Sequence, residues 1–96
     1  MITKGEILSK LNELKPELYK SYSVKKIGIF GSFVSGEANN ESDIDIIVEF
    51  EKPIGWKFFT LEIFLEKQFG RKIDLVTKNA LKDQIKESIL NQVNYA

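Results

Sequence analysis

The run Asp43-Ile44-Asp45-Ile46-Ile47-Val48-Glu49-Phe50 constrains this chain more than any other stretch. It alternates with a period of two, which a helix cannot use to bury one face and a strand can. As a strand it sets Ile44, Ile46, Val48 and Phe50 on one side and Asp43, Asp45, Ile47 and Glu49 on the other. A strand this apolar needs neighbours, and the rest of the chain offers them. Val24-Lys25-Lys26-Ile27-Gly28-Ile29-Phe30 reads as a preceding strand ended by Gly31-Ser32, and Ile73 to Thr77 as a following one.

Helical patterns fill the intervals. Thr3 and Glu6 form a capping box ahead of Ile7, Leu8, Leu11 and Leu14. Pro16 is unsuited to a helix interior and fits the first position of a second short helix reaching about Tyr22. Lys52 to Gly55 is a loop, and Trp56 to Phe69 is a helix ended by Gly70. Asn79 is expected to cap a final helix carrying Leu81, Ile85, Ile89 and Val93 on one face. The sum is a small α/β (α+β) fold, three to four strands in a mixed sheet packed by helices, in a single domain spanning 1–96.

The Trp56–Phe69 helix has two apolar stripes. Trp56, Phe59 and Ile63 form one; Phe58, Leu61, Leu65 and Phe69 form another on nearly the opposite side. One stripe covers the sheet. The other is either covered by another helix or left for a partner.

Composition removes most chemistries. The 96 residues include no His and no Cys. That excludes a histidine base, a serine–histidine triad, a thiolate nucleophile, a disulfide and a zinc finger. Carboxylates, hydroxyls, lysines and a metal held by oxygen remain, and oxygen ligands favour magnesium or manganese. The 14 basic and 14 acidic residues cancel, which argues against general electrostatic binding of nucleic acid or membrane. Apolar runs fall far short of about 18 residues, so a cytoplasmic protein is the expectation.

The cancelled charge is unevenly spread. Six acids and no base lie between Glu37 and Glu51. A solvated acidic face accounts for Glu37, Glu41 and Glu51. It does not account for Asp43 and Asp45, because Asp is poor in strands and two here share one face. Their backbones are roughly 6–7 Å apart, so the carboxylates repel unless a cation lies between them. Asp74, near the start of the Ile73–Thr77 strand, repeats the pattern. If that strand is a parallel neighbour, Asp43, Asp45 and Asp74 converge at one sheet edge, enough to hold two metals about 3.5–4 Å apart. An antiparallel first strand would bring Gly31-Ser32 there too, as a nest for phosphate.

Gly31-Ser32, ten residues, then Asp43-Ile44-Asp45 is a G-S-x10-D-x-D pattern, which arises by chance in a chain this short on the order of one time in a thousand. With Phe30 before it, Gly36-Glu37 within it, Ile46 to Phe50 after it and Ile73-Asp74-Leu75-Val76 beyond, the chain resembles a minimal nucleotidyltransferase of the DNA polymerase β-like superfamily over nearly its whole length. The resemblance implies transfer of a nucleoside monophosphate, usually AMP from ATP, to a hydroxyl acceptor with release of pyrophosphate. It implies two Mg2+ ions (or Mn2+) on Asp43 and Asp45, with Asp74 as ligand or base, and Gly31 and Ser32 on the β and γ phosphates. It also implies a HEPN-family partner, with the chain as the antitoxin of a toxin–antitoxin pair that modifies a tyrosine of the toxin.

One position departs from the family. Arg commonly precedes the glycine that is Gly36 here, and this chain has Ser35. Lys52, Lys72 and Lys78 are the candidates for a replacement cation. Two readings follow: a magnesium-dependent transferase, favoured by the three aspartates, or a weak or inactive relative that neutralises a partner by contact, favoured by Ser35. A homodimer through the second apolar stripe of the Trp56–Phe69 helix is the alternative to a partner protein there.

Overall fold

The structure, a computed structural model, describes residues 1–96. Its elements in chain order are α1 (Lys4–Tyr22), β1 (Val24–Phe30), α2 (Ser32–Ser35), β2 (Ile44–Phe50), α3 (Lys57–Phe69), β3 (Ile73–Thr77), a 3-10 turn (Lys78–Ala80), α4 (Asp83–Gln92) and β4 (Asn94–Tyr95). The sheet runs β3-β2-β1-β4. β1 is antiparallel to β2 and to β4, and β2 is parallel to β3. The expected strand directions are those observed.

Register sorts the residues by face. Ile27 and Ile29 of β1 lie opposite Val48 and Ile46 of β2. Ile44 and Ile46 lie opposite Ile73 and Leu75 of β3. All are buried, together with Ile7, Leu11 and Leu18 of α1 and Leu61 and Leu65 of α3, in one core cluster. Two helices therefore cover one side of the sheet. The other side carries Phe30, Asp45 and Asp74 at one end and Lys26 and Glu49 toward the other.

α1 opens as expected. Thr3 Oγ1 accepts the Glu6 N–H at 3.1 Å, and the Thr3 N–H donates to Glu6 Oε1 at 3.1 Å. It does not break at Pro16. One 19-residue helix runs through it, contrary to the two short helices expected. Pro16 is exposed, and so is Asn12, whose carbonyl loses its partner to the missing proline N–H and can turn to water. Leu11 and Leu18, fully buried on either side, hold both halves against the core, and that burial outweighs the lost bond.

The chain's end also differs. Asn79 lies in the 3-10 turn, Lys82 is the residue before α4, and Val93 is extended beyond the helix. Val93 leads into β4, which pairs Asn94 and Tyr95 with Ile29 and Gly28. Gly28 makes this close approach feasible. A Cβ there would stand 2.7 Å from Val93 Cγ1 and 2.9 Å from the Asn94 carbonyl oxygen. β2 and α3 each begin one residue later than expected, leaving Asp43 just ahead of β2 and Trp56 at the mouth of α3.

Gly28→Ala should cost about 1–3 kcal/mol in a denaturant melt, the usual scale of overpacking. It should also speed hydrogen exchange at the Ala96 amide, which donates to the Ile27 carbonyl at 2.9 Å. Unchanged stability with Ala96 still protected would contradict this account of β4.

Candidate active site

Strand direction assembles the site. β1 ends where β2 begins because they are antiparallel, and β3 begins there because it is parallel to β2. Phe30 thus faces Asp45 on one side, and Asp74 faces Asp45 on the other. Residues from three separate stretches meet at one sheet edge.

Asp45 is at the centre. Its carboxyl group comes within hydrogen-bonding reach of Asp74 and lies in the field of Asp43. Partial burial first, then the Asp74 charge and hydrogen bond, then the Asp43 charge, push its pKa from 3.8 up to about 6. Gly31, at φ +75°, leaves room for this carboxyl. A Cβ at that position would run into it, within 3.0 Å of Asp45 Cγ. Gly31 then turns the chain into the single turn of α2, where the Val34 and Ser35 N–H groups both bond the Gly31 carbonyl at 3.0 Å. The N–H groups of Ser32 and Phe33 are the ones a helix start leaves without an internal partner.

Asp43 is exposed and sits one residue ahead of β2. The Ile44 N–H next to it donates to the Lys72 carbonyl at 3.1 Å, which ties the start of β2 to the start of β3. The structure thus brings Gly31, Asp45 and Asp74 into direct proximity, with Asp43 beside them. As the side chains stand, no three acids are gathered into a closed cage for a metal ion. The pair itself fits a hard divalent cation: two carboxyl groups press together with one of them partly buried, a combination whose repulsion a cation would relieve.

The lysines named as replacement cations separate by position. Lys52 follows the far end of β2 and Lys78 the far end of β3, roughly 13 Å along the strand from Asp74. Lys72 is the one of the three at the aspartate edge, and it is exposed.

Sequence reasoning missed Arg71, the chain's single arginine. Its Nη1 donates to the Ser42 carbonyl and its Nη2 to the Asn40 carbonyl, both at 3.1 Å. Its guanidinium carbon lies 5.3 Å from the centre of the Phe33 ring. The signal that could have found it was its rarity and its place three residues before Asp74.

The geometry has counterparts. Residues 8–95 match the family model of the nucleotidyltransferase domain. The chain is 46% identical over 96 residues to protein adenylyltransferase MntA of Thermococcus cleftensis, covering 99% of this chain and 97% of that one. A solved structure described as a candidate minimal nucleotidyltransferase superposes with a TM-score of 0.76 at 28% identity, over 93% of this chain and 92% of that one. A toxin–antitoxin crystal structure containing AMP-PNP superposes with a TM-score of 0.72 at 22% identity, over 91% of this chain and 69% of that one, a likeness of fold.

The raised pKa of Asp45 makes metal-free stability depend on pH. Folded Asp45 keeps its proton to about pH 6 and the unfolded residue only to 3.8. Its contribution to stability is complete below 3.8 and is lost as pH rises through about 6. In metal-free buffer Asp45→Asn should therefore melt a few degrees above the parent at pH 7.5, with the gap closing by pH 4. A gap that does not change across that range would contradict the close Asp45–Asp74 pair.

Proposed function

The chain belongs to the nucleotidyltransferase domain family, and from that premise we propose that it is a protein adenylyltransferase, moving AMP from ATP to a hydroxyl of a protein partner. The observation that carries the reading is the Asp45–Asp74 pair, pressed together beside a glycine that leads into the first N–H groups of a helical turn. Two like-charged carboxyl groups set side by side, one of them half-buried, oppose folding without a cation between them, and nucleotidyl transfer is a chemistry that uses such a pair. The adenylyltransferase name borne by a relative 46% identical over 99% of the chain supports the choice of AMP and of a protein acceptor.

Each residue has a part in this reading. Asp45 and Asp74 would hold a divalent cation, with Asp43, exposed at the same edge, as the further carboxylate able to join them. Such a cation, when bound, supplies the charge that steadies the phosphates in flight. Ser32 and the N–H groups of Ser32 and Phe33 bind the β and γ phosphates. Asp74, exposed where Asp45 is half-buried, faces the arriving acceptor and takes its proton. The acceptor oxygen bonds to the α-phosphorus, the bond from that phosphorus to the bridging oxygen breaks, and pyrophosphate leaves.

The partner we propose is the toxin of a toxin–antitoxin pair, a HEPN-family protein carrying the modified tyrosine. The fold likeness to a chain crystallised in a toxin–antitoxin complex supports it. So does the outer stripe of α3, where Trp56 is 85% exposed, Phe59 56% and Ile63 52%, while Leu61 and Leu65 of the opposite stripe are in the core. No helix is long and apolar enough to cross a membrane, so this stripe is not part of a spanning segment. Ser35, exposed at the end of α2, offers the phosphates no cation and favours the second reading, in which the chain neutralises its partner by contact alone.

Incubation with α-labelled ATP, magnesium and the protein encoded by the neighbouring gene should label that protein. Asp43→Ala or Asp45→Ala should each cut labelling by roughly 100-fold or more, the scale of losing one preorganised electrostatic group. Partner inhibition without labelling, surviving both substitutions, would establish contact neutralisation instead.

A further inference from the structure

We propose that Arg71 is the positioning residue of the site: by bridging the Asn40 and Ser42 carbonyls and stacking on Phe33, it fixes the loop before β2 so that Asp43 can meet the cation held by Asp45 and Asp74. The inference rests on the transferase reading above. It concerns a residue that touches none of the reacting groups.

Of the three aspartates at the site, Asp43 is the one outside regular structure. Asp45 and Asp74 lie within paired strands, and their positions follow from the sheet register. Asp43 lies outside β2, at the end of a stretch without regular structure from Glu37 onward. Within that stretch the Asn39 N–H donates to Ser42 Oγ at 2.9 Å, the Glu41 N–H to Asn39 Oδ1 at 2.8 Å and the Ser42 N–H to the Asn39 carbonyl at 3.1 Å. These bonds shape a tight turn. Its two ends are held by backbone bonds, from the Glu37 and Ala38 N–H groups to the Ser32 carbonyl and from the Ile44 N–H to the Lys72 carbonyl. Arg71 is the side chain that ties down the turn between them, with two charge-assisted bonds from one planar fork. The second bond falls on Ser42, the residue immediately before Asp43.

The same guanidinium packs on the Phe33 ring, and Phe33 is the buried residue of α2, next to Ser32. Arg71 also begins the segment that becomes β3, three residues before Asp74. One side chain therefore joins the phosphate turn, the Asp43 loop and the Asp74 strand. A lysine would not reproduce this, because its ammonium has no planar face to lie on the ring while its donors reach two carbonyls in fixed directions. Residues that orient metal ligands cost about 10–100-fold in metal affinity or activity when lost.

The test uses the full chain, with Arg71→Met and Arg71→Lys. Manganese binding without nucleotide, followed by the loss of the free-ion spin-resonance signal, should weaken about tenfold in Arg71→Met, and Arg71→Lys should recover only part of it. Hydrogen exchange at the Ser42 amide should quicken in both, with the Ile46 amide of the core unchanged. In the labelling assay kcat should fall while KM for ATP stays within about twofold, and added magnesium should restore part of the rate. Equal manganese affinity in Arg71→Met and the parent would overturn the proposal, as would full recovery by Arg71→Lys. A parent protein that binds no manganese would contradict the transferase reading itself and take this assignment with it.

Discussion

Two carboxyl groups held side by side are what the rest of the site depends on. Asp45 and Asp74 are cross-strand neighbours in a parallel pair, and like charges directly opposite each other oppose folding. The chain accepts this at the edge of its most apolar strand, and Asp45 answers by holding its proton to about pH 6. The surroundings are arranged around that pair: Gly31 without a side chain where Asp45 needs room, Ile44 tied to Lys72, and a loop pinned by Arg71.

The fold supplies the stiffness this requires. Ile44, Ile46 and Val48 on the inner face of β2 are fully or almost fully buried under α1 and α3. A shift of β2 by one residue would turn those side chains outward and Asp45 inward. The same alternation that drives the core together therefore fixes the register of Asp45 against Asp74. Core and site are two faces of one pattern.

Much of this was legible in the chain itself, because alternation and residue type are local. β1, β2 and β3, the Thr3–Glu6 cap and the convergence of Gly31 with the aspartates follow from such signals. What escaped depends on contacts between distant segments. Pro16 obeys a local rule that burial of Leu11 and Leu18 overrides. β4 is two residues long and has no periodicity; it exists because Gly28 lets the chain's end lie close. The pairing of Asp74 with Asp45 rather than Asp43 is a matter of register, and residue types alone do not set it. Arg71 holds carbonyls 29 and 31 residues away, and backbone acceptors leave no mark in a sequence.

Everything proposed for this edge of the sheet requires the Asp45–Asp74 pair to take a cation. The most direct measurement is diffraction at the manganese absorption edge from crystals grown with manganese and a non-hydrolysable ATP analogue. An anomalous peak about 2.1 Å from carboxylate oxygens of both Asp45 and Asp74, with the analogue's phosphates reaching toward Ser32, is the predicted result. Bound analogue with no anomalous peak at this pair, or with the manganese held elsewhere, would contradict it.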